Sequence, residues 1–251
     1  MEGPTGDLMK TSAARIKKLY GDTLPPAYDD RVSFPRRVMR AARMLAGNAL
    51  HDFDATASQA IQAAPLSRGD RVLVFCCGTG REFPAILERI GPEGSIVGVD
   101  FSAEMLGRAR QCVQREHWTN VTLLESDVTV FEPPREELFD AGVCTLGLSI
   151  IPDWAAAYRN LLASVRTGGH VIIGDLQLAT GWRALLNPLV WLWTRPYGGS
   201  MQGHANARTL FQRMERELEL VGTRTYGHET YRACVARKPR QTVPDVTRAE
   251  R

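Results

Sequence analysis

Short apolar runs alternate with amphipathic segments along the chain from residue 71 onward. The runs are rich in Val, Ile and Leu and are bounded by glycine or polar residues, which is the pattern of buried strands. They predict strands at 72–75, 96–99, 121–124, 141–146 and 170–173. Between the first two, apolar residues from Phe83 to Ile90 recur with the spacing of one helix face. Strands that alternate with helices predict an α/β fold with a parallel, doubly wound sheet.

The second half of the chain continues this alternation of helices and strands and ends in a predicted antiparallel pair of strands. Ser102 stands at the N-cap position of one helical pattern, and a further helix is predicted to start at Asp153. Gly168-Gly169 is expected to end the second of these helices. A further helix is predicted at 209–220, and two segments, 222–228 and 230–236, are typical of an antiparallel pair of strands.

These elements divide the chain into an N-terminal helical arm or lid at 1–60, a core at 61–238 and a polar, disordered tail at 239–251. The core carries an aromatic insert at 181–205. The insert is broken by Asn187-Pro188, so it is too short to span a bilayer. It is either an amphipathic element packed on the end of the sheet, a substrate lid, or a surface that touches a membrane.

Composition and charge limit which binding partners and which cellular compartment we expect for this protein. A net charge of +3 over 251 residues is too weak to indicate a nucleic-acid partner. Basic residues concentrate between Lys10 and Arg43, either as a solvated helix face or as a surface for an anionic membrane or an acidic substrate. The five cysteines form no Cys-x-x-Cys pair, and no signal-like apolar segment follows Met1. We therefore expect a cytoplasmic protein with reduced thiols, in peripheral contact with a membrane if the basic arm binds lipid.

A glycine loop carries the candidate chemistry. Gly78-Thr79-Gly80 follows the first strand and precedes a helix, so backbone N–H groups face a ligand that approaches closely. Asp100 ends the second strand 20 residues after Gly80, which is the spacing of an acid that grips a ribose diol. The loop and the acid together predict a cofactor that contains a nucleoside.

Several nucleotide-binding classes are excluded by what surrounds this loop. Arg81, Glu82 and Phe83 follow Gly80, so the third glycine of a dinucleotide-binding Gly-x-Gly-x-x-Gly loop is missing. No tyrosine has a lysine four positions later, as a short-chain dehydrogenase requires, and no Gly-Lys-Ser/Thr phosphate loop is present.

Five landmarks in order resemble the class I S-adenosylmethionine-dependent methyltransferases, over about residues 69–238. They are the loop Gly78-Thr79-Gly80, the pair Asp100-Phe101, Ser126-Asp127-Val128, Phe139-Asp140-Ala141, and the turn from Val165 to His170. The resemblance implies a Rossmann-like, seven-stranded, mostly parallel sheet with an antiparallel C-terminal strand.

The resemblance also implies S-adenosylmethionine as the cofactor and a role for each matching residue. The loop would approach the methionine part, and Asp100 would accept hydrogen bonds from the ribose hydroxyls. Phe101 and Met105 would flank the adenine, which Asp127 would bind. The implied cofactor-binding residues are Tyr28, Cys77, Gly78, Thr79, Gly80, Asp100, Phe101, Met105, Asp127, Val128 and Thr145.

The implied reaction is methyl transfer to N or O of a small-molecule acceptor. The stretch 146–152 and the aromatic insert resemble quinone and lipid-head-group methyltransferases, which implies a hydrophobic or lipid-like acceptor. His204, which follows the insert, is the candidate general base, and no metal is expected. Val74 and Cys76 depart from the acid and the glycine usual in the family. The alternative is therefore a protein with this fold that transfers no methyl group and serves as a binding or accessory subunit.

Overall fold

The structure is a computed structural model of the chain. It describes residues 14–16, 18–20, 53–132, 137–177, 180–188, 191, 195, 198–226 and 230–240.

A seven-stranded sheet forms the centre of the molecule, in the order β3-β2-β1-β4-β5-β7-β6. The strands are β1 (Arg71–Phe75), β2 (Ser95–Asp100), β3 (Val121–Glu125), β4 (Phe139–Thr145), β5 (Val165–Leu176), β6 (Glu219–Tyr226) and β7 (Tyr231–Arg237). Strands β1 to β5 pair in parallel, whereas β7 pairs antiparallel with both β5 and β6. The predicted doubly wound, mostly parallel sheet is thereby confirmed.

Helices cover both faces of this sheet. They are α1 (Phe53–Ala63), α2 (Phe83–Ile90), α3 (Ala103–Arg115), α4 (Trp154–Ser164) and α5 (Met201–Glu217), with a 3₁₀ helix at Gly181–Leu186. Strand β1 shows why helices must pack on both faces of the sheet. Its side chains alternate between two apolar clusters, with Leu73 and Phe75 in one and Val72 and Val74 in the other, and all four are buried.

The helix starts follow the local sequence. Ser102 is the N-cap of α3 and accepts a hydrogen bond from the Met105 backbone N–H at 3.2 Å. Asp153 caps α4 in the same way through the Ala156 N–H, at 3.0 Å. The predicted cap at Ser102 and the predicted helix start at Asp153 are confirmed, and each side chain satisfies a backbone donor that the first turn leaves without an intrahelical partner.

The role predicted for Gly168-Gly169 was wrong. Helix α4 ends at Ser164, and β5 begins at Val165, so the glycine pair lies inside the strand. A Cβ on Gly169 would stand 2.6 Å from the Asp140 carbonyl oxygen, next to a register shift between β4 and β5. The glycines therefore let two strands approach each other at a bulge.

Two predicted boundaries fall within helices of the structure. Helix α5 begins at Met201 behind the cap Ser200, so residues 201–205 of the predicted insert are its first turn. The division at residue 60 lies inside α1, whose Ala60 and Ile61 pack in the core, as does Ala64 directly after the helix. Sequence periodicity missed the start of α5 because Gly203, His204 and Ala205 supply little apolar signal.

Candidate cofactor site

The glycine loop leaves β1 through a run of left-handed backbone conformations. Cys76, Gly78 and Gly80 have φ values of 53°, 52° and 81°. Among the described residues, a Cβ on Gly78 would meet no atom within 4 Å, whereas one on Gly80 would lie 2.7 Å from the Phe83 ring. Gly78 thus keeps an open face for a ligand, and Gly80 lets α2 pack closely on the loop.

Asp100 ties this loop to the end of β2. Its Oδ2 accepts a hydrogen bond from the Gly78 N–H at 2.9 Å, and its Oδ1 accepts one from the Ser102 N–H at 3.0 Å. The residue is only 8% exposed, and burial raises its pKa while the backbone N–H donors act in the opposite direction. The Phe101 N–H is a third backbone donor to this carboxylate, which has about four lone-pair sites and can therefore still accept from a ligand diol.

The start of α3 brings an unpredicted residue to the site. Tyr20 makes an edge-to-face contact with Phe101, with ring centroids 6.4 Å apart. The Ser102 hydroxyl also donates to the Tyr20 carbonyl oxygen at 2.8 Å. Met105 lies buried in the first turn of α3. Tyr28, the predicted N-terminal contact, lies outside the described residues. Only the fold shows that Tyr20 lies here.

The loop after β3 is held in place by hydrogen bonds to its backbone carbonyl groups. Asn160 of α4 donates from Nδ2 to the carbonyl oxygens of Val128 and Thr129, both at 2.9 Å. Asp127 is exposed, and its Oδ1 accepts from the Thr129 N–H and hydroxyl at 2.8 and 2.7 Å. Val128 buries its side chain in the core. The cofactor-binding roles predicted for Asp127 and Val128 stay predictions. The loop that carries both residues is held in place by Asn160.

Glu82 is a second carboxylate beside the loop that sequence reasoning missed. It is the N-cap residue of α2 but makes no side-chain capping hydrogen bond. Its Oε1 instead accepts a hydrogen bond from the hydroxyl of Thr145, at the end of β4. Burial, and more weakly Asp100, raise the pKa of Glu82. An acid two residues after Gly80 was the available signal, but its contact lies 63 residues away in the sequence.

The ends of β4 and β5 carry further buried polar groups. Asp175 accepts hydrogen bonds at 2.7 Å from the N–H groups of Ser149 and Leu176, and burial raises its pKa to about 6. His204 is 1% exposed, and burial lowers its pKa while a hydrogen bond to the Leu176 backbone acts in the opposite direction. His204 is therefore buried next to the ends of β4 and β5. Its role as a general base stays a prediction.

The two departures from the family pattern lie in different surroundings. Val74 is buried in the apolar cluster with Ile86 and Ile96. Cys76 turns its sulfur towards Cys144 and Gly147, where a Cβ on Gly147 would be 2.7 Å from the Cys76 Sγ. The Cys76 side chain therefore does not occupy the open face at Gly78.

Cys76 carries backbone strain that two substitutions can separate. Both Cys76→Gly and Cys76→Ala remove the thiol, but only glycine adopts φ 53° without a steric cost. We expect the glycine variant to be the more stable by about 0.5–1 kcal/mol, the reverse of the usual order of these residues. Chemical denaturation of both variants measures the difference. A more stable alanine variant would contradict the strain at this residue.

Comparison with known proteins finds a domain match and several relatives over part of the chain. Residues 72–169 match the model of a methyltransferase domain. The demethylmenaquinone methyltransferase of Listeria welshimeri is 31% identical over 124 residues, which are 49% of this chain and 52% of that protein. The chain therefore spans about half the length of the curated relatives it matches.

Solved structures share the architecture at low identity. A SAM-dependent methyltransferase from Aquifex aeolicus aligns with a TM-score of 0.57 at 15% identity, covering 82% of this chain and 97% of that one. The [4+2]-cyclase SpnF aligns with a TM-score of 0.51 at 19% identity, covering 74% and 81%. At these identities the likeness establishes the fold alone.

Residues 72–169 match a methyltransferase domain, and the sheet has the fold of S-adenosylmethionine-dependent methyltransferase structures. The match to the methyltransferase-domain family covers residues 72–169, and S-adenosylmethionine is the cofactor expected of it. The described residues fit that cofactor, because Gly78 offers an open backbone face and Asp100 a buried acceptor beside it.

Proposed function

We propose that this protein transfers the methyl group of S-adenosylmethionine to an N or O atom of a small hydrophobic or lipid-like acceptor. The observation that carries the proposal is the open loop face at Gly78, hydrogen-bonded to Asp100 within a methyltransferase domain. The cofactor, when bound, supplies a methyl group already activated on a sulfonium. The chain then has to hold the cofactor and align the acceptor.

Exposed apolar side chains support a hydrophobic acceptor. Trp182 is 76% exposed and Leu185 is 83% exposed, both in the 3₁₀ helix that follows β5. They lie on the chain after the carboxyl end of a parallel strand, where ligands of such sheets bind. The relatives named demethylmenaquinone methyltransferases support the same class of acceptor. These observations favour a quinone-like ring with an apolar tail as the first acceptor to test.

Two measurements test the proposal in sequence. Calorimetry with S-adenosylhomocysteine should show binding, and its absence at millimolar ligand would overturn the proposal. Mass spectrometry should then detect one added methyl group when S-adenosylmethionine is supplied with demethylated quinones, amines or phenols. The acceptor that gains the mass identifies the class.

A paired substitution tests the apolar surface. Trp182→Ser with Leu185→Ser should lower kcat/KM for a hydrophobic acceptor about 5- to 20-fold, because less apolar area is buried on binding. S-adenosylhomocysteine affinity should not change. Val221→Ser is the matched control, since Val221 is 51% exposed near the start of the edge strand β6, level with Val171 and Ile172 of β5 and away from the carboxyl end of that strand. Equal losses in both variants would count against an acceptor surface at the 3₁₀ helix.

Peripheral contact with an anionic membrane is part of the same proposal. No helix among the described residues is long and apolar enough to cross a bilayer. Exposed Trp182 and Leu185, together with the cationic segment from Lys10 to Arg43, support contact with a lipid surface instead. Co-sedimentation with vesicles should increase with the content of anionic lipid. Binding that is indifferent to anionic lipid would contradict this contact.

A second candidate function is binding without methyl transfer. Cys76, which holds a strained backbone conformation in the loop, favours it, and the fold is shared with a protein named as a [4+2]-cyclase. This alternative predicts that Asp100→Ala leaves the protein's function intact, which the methyltransferase proposal forbids.

A further inference from the structure

The order of the strands places two carboxylates on opposite sides of the glycine loop. Strand β1, which leads into the loop, lies between β2 and β4. Asp100 ends β2, while Glu82 is fastened to Thr145 at the end of β4. Two strand spacings separate β2 from β4, so the two sites lie roughly 10 Å apart across the sheet. A ligand that lies across the loop therefore meets one carboxylate at each side.

This order matches the parts of the cofactor. With its ribose at Asp100 and its adenine towards the loop that follows β3, an extended S-adenosylmethionine directs its amino-acid end towards β4. That end carries an α-ammonium group. The first described group with an opposite charge on the β4 side of the loop is the Glu82 carboxylate, which no capping bond engages.

We propose that Glu82, oriented by Thr145, binds the α-ammonium group of the methionine moiety; this inference rests on the proposed function. A carboxylate shielded from water by its surroundings gains from a cation more than an exposed one does. Burial and Asp100 both disfavour the charged form of Glu82, and the nearby Arg81 offsets only part of this effect. An ammonium group delivered by the ligand supplies the missing positive charge. Thr145 holds the Glu82 Oε1 in place and is a positioning residue.

A cycle of two ligands and two proteins tests the pairing directly. The ligands are S-adenosylhomocysteine and its analogue in which hydrogen replaces the α-ammonium group. The proteins are the wild type and Glu82→Gln. Wild type should bind the analogue about 10- to 100-fold more weakly than S-adenosylhomocysteine, as loss of a charge-assisted hydrogen bond predicts. Glu82→Gln should lose the same factor for S-adenosylhomocysteine and less than about 2-fold for the analogue.

The controls separate this inference from its alternatives. Glu88→Gln, an exposed residue of the same helix α2, should leave both affinities unchanged. Equal losses for both ligands in Glu82→Gln would show that Glu82 only fastens the loop to β4 and would overturn the inference. Equal affinities of the wild type for the two ligands would also overturn it, even if Glu82→Gln did not fold. A wild type that binds neither ligand would instead overturn the proposed function.

Discussion

Asp100→Asn is expected to bind S-adenosylhomocysteine at least about 100-fold more weakly than the wild type, because two charge-assisted hydrogen bonds to the ribose lose their acceptor charge. The carboxylate lies between the Gly78 and Ser102 N–H groups, so its position is fixed before the ligand arrives. Calorimetric titration measures the change. It is the largest binding effect that we expect from a single substitution in this site.

The fold of the same variant should change much less. Removing the charge also removes the cost of its burial, which offsets the loss of one acceptor for the two backbone donors. We expect the melting temperature to fall by no more than about 2–4 °C. Asp70→Asn is the matched comparison, because its carboxylate also accepts a backbone N–H, from Ser67, but lies just before β1, at the opposite end of that strand from the glycine loop. If the two variants bound equally well, the ribose assignment of Asp100 would be wrong.

Gly203→Ala should produce the largest loss of stability. An added Cβ would stand 2.1 Å from the Ser149 carbonyl oxygen, and neither backbone can rotate away. Helix α5 would have to move from the loop that follows β4, at a cost of about 3 kcal/mol or more. For a chain of this length the melting temperature should fall by roughly 6–12 °C. Thermal and chemical unfolding both measure the effect.

The control for this prediction has the opposite sign. Gly107 lies in α3, and a Cβ there would meet no atom of the residues that the structure describes within 4 Å. Gly107→Ala should therefore stabilise the protein by about 0.5–1 kcal/mol, since alanine loses less backbone entropy in a helix. If Gly203→Ala were as stable as Gly107→Ala, the close packing of α5 on Ser149 would be refuted.

The sequence predicted the strands of the sheet well because each is a short, continuous apolar run. The structure extends β5 to Val165–Leu176, while 170–173 was the predicted core of that strand. The five added residues at its start include Arg166, Thr167 and two glycines, which carry no strand signal of their own. Sheet neighbours hold this stretch at both ends, because Val165 pairs with Phe139 and the two glycines form backbone hydrogen bonds with Lys238.

The candidate site was predicted where its residues belong to one local pattern. Gly78 and Asp100 follow from a loop and a spacing, and the structure joins them by a 2.9 Å hydrogen bond. Tyr20 and Glu82 could not be found in this way. Their partners, Ser102 and Thr145, lie 82 and 63 residues further along the chain.

The sequence by itself therefore determined the alternation of strands and helices, the glycine loop, and the acid at the end of β2. These features depend on periodicity and on the conformational freedom of glycine, which act over a few residues. Only the tertiary structure decided that Glu82 meets Thr145, that Cys76 faces Cys144, and that Gly203 packs on Ser149. Such contacts depend on which strand ends become neighbours, and the packing of the whole sheet decides that.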